Sequence, residues 1–262
     1  MAEKGASAKR TSSRPSAYPE GVPCWVDAQL SDVEAGKRFY GELFGWTFEE
    51  GGGTGPGAYA WARLDGEPVA ALVRKTDGRM PTVWTVYFAA TDAEALAGRV
   101  RAAGGQIVTP PQPVSELGTT ALVTDPQGAV FALVQPPGAP RTPGHAGFTG
   151  FGRRHEPGTF ARVELYTRDT EAAGAFYGDL FHDALLGPDA APDFGRAPVS
   201  DVFPAEMPPH FLVHFLVEDC EAALGTVARL GGRVRVPPFE TSYGRVAVVS
   251  DGQGASFALL QR

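Results

Sequence analysis

In "ARVELYT", Arg162, Glu164 and Tyr166 alternate with small and apolar residues, so a strand would carry all three on one face. A guanidinium can hold an anionic or carbonyl oxygen through charge-assisted bonds, and a carboxylate beside a titratable imidazole can move a proton. The imidazole at hand is His214 in "HFLVHFLV", which the same alternation turns inward with Leu212 and Leu216. A second set lies in "CWVDAQL", where Trp25, Asp27 and Gln29 share one face and Val26, Ala28 and Leu30 the other; Thr85 and Tyr87 in "VWTVYFAA" hold the matching places. Glu164, His214 and Asp27 are thus the candidate acid–base groups, and Trp25, Gln29, Tyr87, Arg162 and Tyr166 the candidate ligand contacts. Two blander roles stay open. Arg162 and Glu164 could merely neutralise each other as a partly buried pair, and His214 bonded to Glu164 could merely satisfy two buried polar groups.

These residues sit on runs that share one punctuation. "SDVEA" at Ser31, "TDAEA" at Thr91, "RDTEA" at Arg168 and "EDCEA" at Glu218 each follow an alternating run that reads as a strand. Asp32, Asp92, Asp169 and Asp219 stand where a helix cap belongs, with a Glu two residues on to favour the positive helix end. Counted from the cap, position +8 holds Tyr40, Val100, Tyr177 and Val227 and position +11 holds Leu43, Ala103, Leu180 and Leu230, a spacing that predicts one buried face. Gly45, Gly104 and Gly231 then mark helix ends. "FYGELFGW" at Phe39 pairs with "FYGDLFHD" at Phe176, whereas "DPQGAVFALVQ" at Asp125 pairs with "DGQGASFALLQ" at Asp251. The chain is a duplication of a duplication: four units of strand, helix and three strands in two halves, joined by a Pro/Gly-rich stretch. The expected division is a disordered tail over 1–20, a first domain over 21–137, a linker over 138–157 and a second domain over 158–262.

Composition narrows the function classes. The chain has 262 residues, 43% hydrophobic and 20% charged, enough for a globular core, with a formal charge of −7 and scattered Lys and Arg. Nothing here favours nucleic acid. The first twenty residues lack an apolar h-region, and no apolar run approaches a membrane span, so the expectation is a cytoplasmic protein without membrane contact. Cys24 and Cys220 have no CxxC-type partner and read as packed thiols. His145 and His155 in the linker, His182 after a helix and His210 before a strand read as solvated. No GxSxG elbow or nucleotide-binding glycine pattern is present, and "GGGTGPG" at Gly51 reads as a hairpin loop.

The stretches "VDAQLSDVEAGKRFYGELFGWTF" and "AGGQIVTPP…GTTALVTDPQGAVFALVQ", with their second-half counterparts, resemble the vicinal oxygen chelate superfamily, which contains glyoxalase I, bleomycin-resistance proteins and extradiol dioxygenases. The resemblance covers about Val22 to Arg262. It implies an α+β fold of two glyoxalase-like domains, each of two βαβββ modules whose sheets form a curved, partly open barrel around a cup.

The resemblance also implies where a metal would be held: on the first strand of each module, on its last strand, and on the fourth strand of modules 1 and 3. Those places hold Trp25, Thr85 and Ala132 in one half and Arg162, Leu212 and Ala258 in the other, with Ala70 or Ala71 and Ser200 or Asp201 at the remaining pair. None but Asp201 is a good ligand, so no metal and no cofactor is expected. The expected partner is a small organic molecule bound in a metal-free cup, as in the resistance and sequestration branch. The alternative is a metal-independent isomerase, hydrolase or hydroxylase-like enzyme with its acid–base pair in the second cup, and a third is a regulatory protein with remnant cups. Oligomerisation is not required, because the pseudo-dimer lies within one chain.

Overall fold

The computed structural model describes residues 18–51, 59–114, 117–137, 148–181, 183–188, 190–204 and 206–262. Most of the expected tail, most of the Gly51 loop, the start of the linker, His145 and His182 lie outside those residues. In the first half come β1 (Pro23–Leu30), α1 (Val33–Phe44), β2 (Thr47–Glu50), β3 (Tyr59–Leu64) and β4 (Glu67–Arg74), then β5 (Val83–Ala89), α2 (Ala93–Ala102), β6 (Gln106–Val114), β7 (Gly118–Thr124) and β8 (Val130–Gln135). The second half has β9 (Phe160–Thr167), α3 (Thr170–Phe181), α4 (Asp183–Leu186) and β10 (Phe194–Pro198), then β11 (His210–Leu216), α5 (Cys220–Arg229), β12 (Arg233–Thr241), β13 (Gly244–Ser250) and β14 (Ser256–Gln261). No helix among them is long and apolar enough to cross a membrane.

Each half is one sheet, with strand order β2-β3-β4-β1-β5-β8-β7-β6 in the first and β10-β9-β11-β14-β13-β12 in the second. Modules therefore pair within halves, through the antiparallel contacts β1–β5 and β9–β11. The third module departs from the four-fold pattern: among the described residues α4 and a single strand, β10, follow its helix, and β10 runs parallel to β9 as β4 does to β1.

The four caps form as their sequence demands. Asp32, Asp92 and Asp219 accept from the backbone N–H three residues on at 3.0, 3.0 and 3.1 Å, and Asp169 accepts from Glu171 and Ala172. Tyr40, Val100, Tyr177 and Val227 are all fully buried. The +11 expectation fails in module 2, where Ala103 is exposed; α2 and α5 have 10 residues against 12 in α1 and α3, so Ala103 and Leu230 fall beyond the last turn, yet Leu230 still packs half-buried on the core as Leu43 does. Gly45, Gly104 and Gly231 end their helices at φ of 74°, 94° and 81°, a region open to glycine.

The halves meet through one aromatic core, in which Phe88 stacks on Phe181 at 5.4 Å and Phe44 packs on Phe215 at 5.0 Å. Reciprocal bonds tie the same interface. Tyr40 donates to Asp251 at 3.0 Å and Tyr177 to Asp125 at 3.2 Å, while each of these aspartates orders its own turn by accepting backbone N–H groups. The repeat thus writes a tyrosine in one half for an aspartate in the other, and every buried hydroxyl of this set is paired.

Candidate functional site

The sheet register brings the alternating residues together. In the second half Arg162 lies opposite His214, which lies opposite Ala258; Glu164 lies opposite Leu212 on one side and Gly195 on the other; Tyr166 lies opposite His210. Directly opposed residues project to one face. That face forms its own apolar cluster, with Ala161, Tyr166, Val199, Leu212, Leu216, Val246, Val248, Ala258 and Leu260 buried and Phe203, Met207 and Tyr243 half-buried at its edge. Arg162, Glu164 and His214 are the polar groups set into it, at 9%, 6% and 0% exposure.

Arg162 Nη2 donates to Glu164 Oε2 at 2.8 Å. Gly195 makes the pair possible, since a Cβ there would stand 2.0 Å from Arg162 Nη2 and 2.5 Å from Glu164 Oε2. The Tyr243 ring lies over the guanidinium at 3.8 Å, and its hydroxyl donates to Glu164 Oε2 at 3.3 Å. Burial pushes the Glu164 carboxyl above its usual range, with Arg162 and Tyr243 pulling against that rise. His214 does not bond to Glu164. Its Nδ1 lies 3.1 Å from the carbonyl oxygen of Leu212, and Nε2 is buried without a partner among the described residues, as is Arg162 Nε. Burial, reinforced by Arg162, pushes His214 down to about 3, so the ring is neutral at ordinary pH.

The first cup holds Asp27 at 0% exposure. Tyr87 donates to its Oδ2 at 2.6 Å, Tyr59 to the same oxygen at 2.8 Å, and Gln29 to Oδ1 at 3.2 Å. Burial raises the carboxyl and these three bonds oppose the rise. Trp25 is covered by Trp61 at 5.5 Å, Phe148 at 5.3 Å and Phe151 at 5.5 Å. Phe148 and Phe151 come from the stretch read as linker, and Phe151 N–H donates to the Cys24 carbonyl. Asp27, Gln29, Trp25 and Tyr87 are therefore brought together, as are Arg162, Glu164, Tyr166 and His214, in two separate places.

Several sequence expectations change. His210 is half-buried: it stacks on Tyr166 at 5.6 Å and meets Phe203 edge-to-face at 4.8 Å, because the chain after β10 folds back over the cup. His155 is half-buried and bonds the buried Asp193 at 2.6 Å. Cys24 and Cys220 are free and buried. Ser200 and Asp201 do not sit on the fourth strand; they lie in a 3₁₀ turn after β10, and the residue that matches Ala71 in register is Gly195. Sequence reasoning passed over Tyr59, Trp61, Phe148, Phe151, Gly195 and Tyr243. The two phenylalanines in "HAGFTGFG" were a signal, since large apolar residues are out of place in a free linker.

The side chains at the places where the fold would hold a divalent ion do not suit one. Trp25, Thr85, Ala132, Arg162, Leu212, Ala258, Ala71 and Gly195 offer no carboxylate, imidazole or thiolate, and no three of His, Cys, Asp and Glu cluster among the described residues. A guanidinium occupies one of these places, and no chemical step is assigned to an ion.

Residues 25–133 match the family model described as Glyoxalase/Bleomycin resistance protein/Dioxygenase superfamily. The chain is 36% identical over 264 residues to "Putative glyoxylase CFP32" of Mycobacterium tuberculosis, covering 94% of this chain and 97% of that protein. It is 35% identical over 274 residues to "Anthracycline biosynthesis protein DauV" of a Streptomyces species, covering 93% and 94%. Among solved structures, the Mn(II)-bound glyoxalase of Novosphingobium aromaticivorans aligns at TM-score 0.59 with 15% identity over 93% of this chain and 83% of that one. The 2,3-dioxygenase LapB of Pseudomonas sp. KL28 aligns at TM-score 0.59 with 15% identity over 94% of both chains. Such likeness speaks for the fold.

Proposed function

We propose that this chain, which belongs to the glyoxalase/bleomycin resistance protein/dioxygenase superfamily, binds a flat aromatic ketone or quinone in its second cup, without a metal ion. The observation that carries the reading is the Arg162–Glu164 pair set into an apolar, aromatic-edged face with the Arg162 Nε–H left over. Glu164 already neutralises the guanidinium, so the remaining N–H suits a neutral carbonyl oxygen better than a free anion. Apolar walls with a few fixed polar groups are the usual makeup of a ligand pocket. The relatives named for anthracycline biosynthesis fit this class, since anthracyclines are fused-ring quinones. The metal-independent enzyme has less support, because Glu164 is held by Arg162 and Tyr243 and His214 is too weak a base to share its proton.

The test uses 9-fluorenone, a flat tricyclic ketone, titrated calorimetrically into wild type and Arg162→Met. We expect saturable binding to wild type and at least a tenfold loss in the variant, about 1.4 kcal/mol. Equal affinity for both proteins, with the variant folded by circular dichroism, would sink the reading.

A further inference from the structure

The second cup is covered from inside. Tyr243 sits in the two-residue turn between β12 and β13, where Thr241 pairs with Gly244. From there its ring reaches over Arg162 at 3.8 Å, its hydroxyl meets Glu164 at 3.3 Å, and its plane stands at 74° to the His214 ring at a centroid distance of 6.2 Å. A phenol on a guanidinium, with its O–H on a carboxylate, is what a bound hydroxyaromatic molecule would look like in this cup. The matching turn of the first half carries Leu117 before Gly118, as Tyr243 stands before Gly244, and Leu117 is simply buried in the core.

Tyr243 leaves one polar group unserved. His214 Nδ1 faces the Leu212 carbonyl, an acceptor, so Nδ1 carries the proton and Nε2 presents a lone pair. That lone pair is fully buried and has no donor among the described residues. A buried acceptor without a donor is costly, and only an O–H or N–H group relieves it. The Tyr243 hydroxyl is spent on Glu164, through a bond near the long end of the range.

We propose that Tyr243 is an internal stand-in for the ligand: the ligand is a hydroxylated aromatic ketone whose ring displaces Tyr243 from Arg162 and whose O–H donates to His214 Nε2. The hairpin tip is the moving part, since Tyr243 is half-buried and its turn makes few side-chain bonds: Thr241 Oγ1 to the Gly244 carbonyl, and Tyr243 N–H to Thr241 Oγ1. The exchange gives up the long Tyr243–Glu164 bond, after which Glu164 still accepts from Arg162 and the freed phenol turns to water, and it gains a bond to His214 Nε2, which otherwise has no donor among the described residues. This rests on the binding reading above and adds to it the ligand's hydroxyl and the residue it replaces.

The test compares 2-hydroxy-9-fluorenone with 2-methoxy-9-fluorenone, which keeps the ring and carbonyl but cannot donate. Wild type is expected to bind the hydroxy compound at least tenfold more tightly. His214→Leu should bring that ratio close to one, and Tyr243→Leu should raise affinity for the hydroxy compound at least threefold. His214→Phe serves as the second variant if the leucine form fails to fold, since it keeps a flat ring but removes the acceptor. A ratio near one in wild type, or weaker binding by Tyr243→Leu, overturns the inference while Arg162-dependent binding of 9-fluorenone still stands. Loss of that Arg162 dependence overturns both.

Discussion

Five residues before its cap, the first half carries Asp27 and the second Glu164, and these two carboxylates have opposite surroundings. Asp27 collects three side-chain donors, two of them tyrosines, and Tyr59 of that set leads into an aromatic cluster of Trp61, Trp25, Phe148 and Phe151. Glu164 shares its donors with a cation whose Nε is unpaired, beside a histidine whose Nε2 is unpaired. In the first cup the carboxylate, both tyrosines and the glutamine answer one another, so the polar cluster needs no visitor; only the indole N–H groups of Trp25 and Trp61 lack partners there among the described residues. In the second cup a donor and an acceptor on opposed residues are both left over among the described residues, and the proposed ligand would answer them. Duplication therefore gives two copies of one scaffold, one whose carboxylate is answered by its own chain and one with a buried donor and a buried acceptor unpaired among the described residues.

The largest effect should separate the aromatic residues beside the two cups. Phe151 is 3% exposed and stacks on Phe160 at 4.7 Å, so Phe151→Ala deletes a packed ring and should cost about 3 to 5 kcal/mol by urea denaturation. Phe203, at the edge of the second cup, is half-buried, and Phe203→Ala should cost about 1 kcal/mol or less in stability. It should nonetheless weaken 9-fluorenone binding more than Phe151→Ala does. If Phe151→Ala instead created a second fluorenone site, the first cup would be a ligand site closed by a strap, and the contrast between the cups would collapse.

A pH difference follows from His214. Its pKa falls from 6.5 to about 3 in the folded protein, so between those values the unfolded chain holds a proton that the folded chain lacks. Stability is then fully present above about pH 6.5 and declines as pH falls through that window, by about 1.4 kcal/mol per unit, or about 2 kcal/mol by pH 5. Asp27 and Glu164 act with the opposite slope, since burial raises both and the folded state keeps their protons to higher pH. The clean measurement is the difference between wild type and His214→Leu: the variant should lose less stability between pH 7 and pH 5. Parallel pH curves would show that His214 reaches water in the folded state and is no buried acceptor.

How far the sequence revealed all this depends on whether the signal was local. The caps and the +8 face rest on contacts within one helix turn and the sheet beneath it, and the repeat displayed them four times over. The inward faces of β1, β5, β9 and β11 were equally legible, because alternation alone sets them. What alternation could not show was partnership. The Arg162–Glu164 pair was open to reading from its spacing on one strand face, but nothing in "ARVELYT" says that Glu164 also takes Tyr243 and leaves His214 alone, and Tyr59 comes to Asp27 only through the pairing of β3 with β4 and β4 with β1. The shortened third module hid Gly195 for another reason: with α4 inserted, counting along the chain put Ser200 or Asp201 where the register puts Gly195.

The smallest effect compares the two carboxylates by turning each into its amide. Asp27→Asn keeps an oxygen for the two tyrosines, and Gln29 can turn its own oxygen toward the new N–H₂, so the first cup should lose about 1 kcal/mol of stability and no ligand affinity. Glu164→Gln keeps the shape of the second cup but takes away the charge that fixes the guanidinium; Arg162 then turns toward water at the rim, and its Nε–H no longer waits in place. Binding of the neutral 2-hydroxy-9-fluorenone should weaken about tenfold, about 1.4 kcal/mol, while Asp27→Asn changes it by less than about twofold. Neutrality of the probe matters, because an anionic one would gain from losing the Glu164 charge and mask the lost positioning. If both amides leave binding untouched and only Glu164→Gln shifts the melting temperature, the Arg162–Glu164 pair is a buried neutral pair like the polar cluster around Asp27, and the second cup is answered by its own chain as the first is.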